Sequence, residues 1–74
     1  MISDILVLFS APQSELDMSR AISRLMEIDT SVLAHRKEGS ERLLLVKFSP
    51  QTVSPNAILQ ALRGVGFTVS IAGG

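Results

Sequence analysis

The chain has 74 residues, of which 46% are hydrophobic and 19% charged, and its seven basic side chains balance seven acidic ones. A chain this apolar is expected to fold as one domain, and its zero net charge creates no overall field that would gather nucleic acid or an anionic membrane surface. It contains no cysteine, which excludes disulfides and thiolate metal sites, so the hydrophobic core alone must stabilise it.

The first predicted elements are a strand and an amphipathic helix. Residues 2–9 contain the run Ile-Leu-Val-Leu-Phe, whose nearly continuous apolarity is typical of a central strand. After a loop, Ser14 is placed to cap a helix in which Asp17 is an acidic capping-box partner. A helix of roughly 14 residues is predicted by the apolar residues at helical spacing, which are Met18, Ala21, Ile22, Leu25 and Met26.

A hairpin is predicted in the middle of the chain. Residues 32–37 form a more polar strand, suited to the edge of a sheet. Residues 38–40, Glu-Gly-Ser, are a turn signal, and residues 42–48 contain the run Leu-Leu-Leu-Val of another central strand.

The last predicted elements are a second helix and a fourth strand. Ser54 is a suitable N-cap and Pro55 suits the first helical position. The apolar stripe of this helix consists of Ile58, Leu59, Ala61, Leu62 and Val65. Gly66 can take the left-handed conformation that ends a helix, which lets Phe67 fold back onto Leu62. The strand that follows is predicted by alternation, with Phe67, Val69 and Ile71 on its buried side.

The order β-α-β-β-α-β predicts an α+β fold, the ferredoxin-like sandwich with a four-stranded antiparallel sheet and two helices on one face. The two most apolar strands are the first and the third, which this fold places in the middle. We assign residues 1–72 to one domain and residues 73–74, a Gly-Gly pair, to a flexible tail.

Residues 46–69 combine a strand, a Ser-Pro turn, a second Ser-Pro at a helix start and a Gly-Phe helix ending. This order resembles the heavy-metal-associated domain, the small module of copper chaperones and of the cytosolic tails of metal-pumping P-type ATPases. The resemblance implies a role in metal transport or metal homeostasis. No run of the sequence is long enough to span a bilayer, so we expect a cytoplasmic protein without direct membrane insertion.

The metal-binding motif of that family is missing. The family holds metal with a Met-x-Cys-x-x-Cys motif that straddles a loop and the start of the first helix. The corresponding stretch here is residues 13–18, with Glu15 and Met18 at the two thiolate positions, so the chain resembles a Cys-less member. Because a carboxylate and a thioether do not replace two thiolates for a soft ion, we expect no tight Cu(I) or Zn(II) binding and no cofactor.

Three residues are the remaining candidates for a metal site, and each has a structural interpretation. Glu15 lies in a first helical turn, where acidic residues meet the free N–H groups, and Met18 lies on the apolar stripe. His35, the only histidine, is predicted to point outward from an edge strand. The sequence also lacks a nucleophile elbow, a glycine-rich phosphate loop and a paired-carboxylate arrangement, so we expect no enzyme activity.

Strand parity predicts an apolar surface on the open face of the sheet. If alternate residues of the central strands face the helices, the others form a patch of a few hundred Å², around the size of an interaction surface. The predicted interface residues are Leu6, Leu8, Leu33, Leu43 and Leu45, and the predicted polar rim is Thr68, Ser70, His35 and Lys47. The partner would be another protein domain or a second copy of the chain.

The sequence therefore predicts a non-catalytic heavy-metal-associated-like module: a cytosolic adaptor or regulatory domain linked to a metal transporter, in particular a metal-transporting P-type ATPase, and acting by protein–protein contact. Two alternatives stay open. One is a genuine metal-binding domain with non-thiolate ligands, and the other is an ACT-like sensor of a small ligand. An RNA recognition module is disfavoured, because such modules stack bases on aromatic residues where this chain has aliphatic ones.

Overall fold

The computed structural model describes residues 1–73, and its elements follow the order β-α-β-β-α-β. They are β1 Ser3–Phe9, α1 Glu15–Met26, β2 Leu33–Arg36, β3 Leu43–Phe48, α2 Pro55–Arg63 and β4 Val69–Gly73. The strands form one antiparallel sheet in the order β2-β3-β1-β4, and both helices pack on the same face. The predicted ferredoxin-like fold is confirmed, with the two most apolar strands in the centre.

Both helices begin at the predicted serine caps. The Ser14 hydroxyl accepts a hydrogen bond from the N–H of Asp17, and the Ser54 hydroxyl accepts one from the N–H of Ala57, each at 3.1 Å. These bonds satisfy N–H groups that have no partner inside the helix. The Asp17 carboxylate accepts a bond from Arg20 at 2.9 Å, one turn further along α1.

The core lies between the helices and the inward face of the sheet. Alternate residues of the two central strands are at most 7% exposed, as predicted: Ile5, Val7, Phe9, Leu44, Val46 and Phe48. The helices contribute the buried residues Met18, Ala21, Leu25, Ile58, Ala61 and Leu62. Side chains alternate between the two faces of a strand and recur every 3.6 residues on one face of a helix. The apolar side chains of the sheet and of the helices therefore meet in a single core.

Three residues predicted on buried stripes lie instead at the surface. Val65 is 40% exposed because α2 ends at Arg63, two residues earlier than the stripe suggested. Met26 is 51% exposed at the last position of α1. Ile71 is 41% exposed because the register of β4 against β1 shifts between Leu6 and Val7, and such a bulge bends an edge strand away from the core.

The end of α2 follows the predicted path. Gly66 has a φ of +97°, in the left-handed region, and the N–H of Phe67 donates to the carbonyl of Leu62 at 3.1 Å. At the other end of β4, Gly73 is still paired with β1, so the strand reaches one residue into the predicted tail. Gly74, the rest of that tail, lies outside the described residues.

Asp29 joins the loop after α1 to the loop before α2. Its carboxylate accepts hydrogen bonds from the N–H of Ser31 at 2.9 Å and from the hydroxyl of Thr52 at 3.1 Å. The Ser31 hydroxyl in turn accepts from the N–H of Ser49 at 3.1 Å. Bonds from Ser31, and then from Thr52, lower the pKa of Asp29 below its ordinary value of 3.8.

Asp29→Asn is expected to reduce the free energy of unfolding at neutral pH but to have less effect in acid. Because the pKa is lower in the folded than in the unfolded chain, the carboxylate stabilises the fold above about pH 3.8, and this contribution disappears as the pH falls through the folded value. Urea unfolding of both proteins between neutral and strongly acidic pH measures the difference. A difference that stays constant over the whole range would contradict the predicted linkage.

Candidate functional site

The open face of the sheet carries a square of four leucines. In the register of the two central strands, Leu6 lies directly opposite Leu45, and Leu8 lies directly opposite Leu43. All four side chains are half-buried, although both helices pack on the other face and no described residue forms a layer over this one. Neighbouring leucines cover part of one another's surface, and the rest of their side chains forms one continuous apolar surface. We call these four residues the leucine square.

The fifth predicted interface residue lies at the margin of this square. Leu33 is on the edge strand β2, opposite Lys47, and is 60% exposed. All five leucines that the sequence predicted for the interface are thus on one face of the sheet, with four at its centre and Leu33 at one corner. Their role in binding stays a prediction.

The rim of the square is polar. At one end Asp4 and Lys47 are register neighbours on β1 and β3. On the flanks, His35 lies opposite Leu45, and Ser70 lies opposite Leu8. The predicted rim therefore holds for Ser70, His35 and Lys47, whereas Thr68 precedes the start of β4. Parity with Leu6 also places Asp4 on this face, although sequence reasoning did not include it in the rim.

A shallow hollow of about 400 Å³ opens on this face. Its lining includes the apolar side chains of Leu6 and Leu45 and the polar side chains of Asp4 and His35. Gly73 lies opposite Leu6 on β4 and has no side chain, so it leaves space at the flank that faces away from β2. Among residues 1–73 the face therefore combines an apolar centre with a hollow that two of its leucines help to line.

The charges of this rim have no partner at ion-pair distance within residues 1–73. The ion pairs there join Arg20 to Asp17 at 2.9 Å and Arg24 to Glu27 at 3.8 Å, and all four residues are on α1 or at its end. Asp4 and Lys47 are exposed and adjacent without forming such a pair.

The three candidate metal ligands do not come together. Glu15 is exposed at the first position of α1, whereas Met18 is 3% exposed within the core. His35 is on the open face, on the opposite side of the sheet from both. Within residues 1–73 no three residues of the types His, Cys, Asp and Glu are grouped so that they could hold a metal ion.

The loop before α1 is held by backbone carbonyls and one arginine. The guanidinium of Arg42 donates to the carbonyls of Phe9 at 3.2 Å and Ser10 at 3.3 Å, and the N–H of Gln13 donates to the carbonyl of Glu41 at 2.8 Å. Sequence reasoning missed this role of Arg42, because nothing in a linear pattern shows which carbonyls lie within reach of an arginine.

The start of α1 determines where the residues at the two predicted thiolate positions lie. Glu15 is the first residue of the helix and Met18 the fourth, so the pair lies inside α1. Ala11 and Ser14 have the same spacing, lie in the loop and at the N-cap before α1, and are both exposed. The assignment of Glu15 and Met18 to the two thiolate positions stays a prediction.

The fold is similar to that in the crystal structure of oxidized MerP from Ralstonia metallidurans CH34. The TM-score is 0.83 over 97% of this chain and 99% of that one, at 11% sequence identity. At this identity the likeness is one of fold, and it agrees with the ferredoxin-like arrangement described above. No protein-family model matches the sequence, and no curated protein does. Among residues 1–73 no helix combines the length and apolarity needed to cross a membrane.

Proposed function

We propose that this protein is a non-catalytic, heavy-metal-associated-like module that acts by protein–protein contact through the open face of its sheet. In this proposal it is a cytosolic adaptor or regulatory domain and works beside a metal transporter, in particular a metal-transporting P-type ATPase. The transporter comes from the resemblance of residues 46–69 to the family, and the cytosolic location from the expectation based on the sequence. The contact surface is the one that strand parity predicts, and the exposure of this face supports it.

The observation that supports contact is the leucine square. Four leucines at the centre of a sheet face, with polar residues only around them, have the layout of a protein interface, in which an apolar core is enclosed by a polar rim. A soluble domain gains nothing in its own core from leucines on this side, since the helices and the buried residues lie on the other. The square is therefore best explained by a partner that covers it.

Metal carriage is the less suitable function for this chain. The sequence has no cysteine to supply a thiolate, and Glu15, Met18 and His35 face three different surroundings. A soft ion needs sulfur ligands that converge on one point. The fold resembles that of a metal carrier, but the sequence has no cysteine thiolates to bind the metal.

Leu6→Ser combined with Leu43→Ser is expected to abolish association while leaving the fold intact. Two hydroxyls on the square make its centre polar, and neither residue belongs to the buried core. Association is followed by NMR chemical-shift changes, first on raising the concentration of the protein itself and then on adding the cytosolic domains of a metal-transporting P-type ATPase. Shift changes in the wild type should cluster on the open face, and the double variant should lose them.

Leu16→Ser is the matched control. Leu16 is 72% exposed on α1, on the other side of the molecule, so its replacement should leave the shift changes as they are. The proposed function is wrong if neither titration moves signals of the open face, or if the double variant associates as the wild type does.

A further inference from the structure

The leucine square is self-complementary, because a two-fold rotation places its leucines on leucines of an identical face. We propose that it binds a second copy of the same chain, in a symmetric dimer whose two-fold axis runs along the strands, between β1 and β3 and in the plane of the interface. This inference rests on the proposed function, since it names the partner of the same face.

The register of the sheet determines what such an axis brings together. The rotation places β3 of one copy over β1 of the other and keeps each position along the strands. Leu45 then packs on Leu6 of the second copy, and Leu43 packs on Leu8. Because these residues are already opposite each other within one chain, the rotation covers every leucine of the square with another leucine. Packed sheets keep their strands within about 30° of each other, so this alignment suits two such faces.

The charges at the end of the square agree with this arrangement. Asp4 and Lys47 are register neighbours on β1 and β3, so the rotation places Asp4 against Lys47 of the second copy and Lys47 against its Asp4. Neither residue has an ion-pair partner among residues 1–73, so both are available. The dimer would thus have two reciprocal pairs of opposite charge at one end, the isologous pattern of a two-fold interface.

The flanks are also complementary. His35 lies opposite Leu45 on β2, and Gly73 lies opposite Leu6 on β4, so both are in the same row across the sheet. The rotation therefore places the imidazole of His35 over the unfilled position at Gly73 of the second copy. On each flank an exposed side chain thus meets a residue that has no side chain.

The area of the face suits a weak dimer. The face consists of four strands, which lie about 4.8 Å apart and rise about 3.3 Å per residue, and the longest has seven residues. It therefore covers roughly 400 Å² per copy, about half of the ~800 Å² of a standard specific interface. We therefore expect association in the range of about 10 µM to about 1 mM.

Another axis would pair the charges differently. A two-fold axis across the strands reverses the positions along them, so Lys47 would meet Glu41 of the second copy, and Asp4 would meet Ser10. The leucines would still cover one another. Only the axis along the strands brings residue 4 of one copy next to residue 47 of the other. With this axis the stability of the dimer depends on whether those two residues carry opposite charges.

The test is a charge exchange between two variants of the full chain, Asp4→Lys and Lys47→Glu. Each variant alone would place like charges against each other twice in its homodimer, and we expect the dissociation constant to rise at least about tenfold. In an equimolar mixture the heterodimer has opposite charges at both contacts, and its dissociation constant should return to within about threefold of the wild type. Both variants keep like charges at the neighbouring positions inside each chain, so restoration in the mixture reports contact between chains.

Sedimentation equilibrium of each protein and of the mixture measures these constants, and the dispersion of amide NMR signals checks that each variant is folded. Glu15→Lys, on α1 and away from the face, is the control and should dimerise as the wild type does. A wild type that is monomeric up to about 1 mM, or a mixture that stays as weak as its components, would overturn the proposed dimer. If the open face then still responds to the ATPase domains, the proposed function stands with a different partner. If neither binds there, both proposals are wrong.

Discussion

Phe9→Ala is expected to lower the free energy of unfolding by about 3–5 kcal/mol, because it removes a fully buried aromatic side chain and leaves a cavity. The Phe9 ring contacts the Phe67 ring edge-to-face, with centroids 5.5 Å apart and planes at 81°, so the variant also loses an aromatic pair. A domain of 74 residues has a stability of about 4–11 kcal/mol. The variant should therefore lose between about a quarter and all of its stability and unfold at a lower temperature and urea concentration, as urea and thermal unfolding followed by circular dichroism would show.

Two control variants show how much of the lost stability comes from the lost volume, how much from the aromatic contact, and how much any substitution would cause. Phe9→Leu retains most of the volume and should cost less than half as much as Phe9→Ala. Ile2→Ala removes a side chain that is 63% exposed and should change the stability by no more than about 0.5 kcal/mol. A Phe9→Ala protein that loses only as much stability as Ile2→Ala would show that the ring does not pack as described.

Phe9 also connects the core to the first turn of α1. The guanidinium of Arg20 lies 5.5 Å from the centre of the Phe67 ring, and Arg20 also pairs with Asp17 near the helix start. Phe67 is therefore held between Phe9 on one side and α1 on the other. Loss of the Phe9 ring should loosen this helix end as well as the core, since the two share Phe67.

Those parts of the fold that depend on short-range rules could be predicted from the sequence. The helix starts follow from Ser14 and Ser54, whose hydroxyls satisfy nearby N–H groups whatever the rest of the chain does. The buried and open faces of β1 and β3 follow from alternation alone, because a strand can turn only every second side chain to one side. The leucine square was predictable for the same reason.

The sequence-based predictions fail where contacts between elements that are distant in the chain determine the position of a residue. Ile71 has the right parity for the core, but the bulge in β4 arises from its register with β1, which no local pattern of β4 specifies. Glu15 and Met18 were assigned to the thiolate positions from the order of the residues alone. Both lie inside α1, because the cap at Ser14 determines where the helix begins, and Met18 faces the core.

Ala11→Cys combined with Ser14→Cys is expected to create a Cu(I) site, with an affinity higher than that of the wild type by on the order of a thousandfold or more. The wild type has no thiolate and should show no tight one-site binding of Cu(I) or Zn(II) in calorimetric titrations. Both replaced residues are exposed; Ala11 lies in the loop before α1 and Ser14 is the N-cap of this helix. A thiol at the N-cap lies near the free N–H groups of the first turn, which favour its thiolate form. Loss of the Ser14 cap should cost about 1 kcal/mol of stability, which the domain can sustain.

The two single variants are the first controls, because each offers one thiolate and should bind Cu(I) far more weakly than the pair. Glu15→Cys combined with Met18→Cys tests the position itself. The side chain at 18 is buried, so a thiol there would have to leave the core to reach an ion, and this pair should bind more weakly and unfold more easily than Ala11→Cys with Ser14→Cys. Affinities are measured anaerobically by competition with a chromogenic Cu(I) chelator. Tighter binding by the pair at 15 and 18 would show that the helix start does not determine where this scaffold can hold a metal.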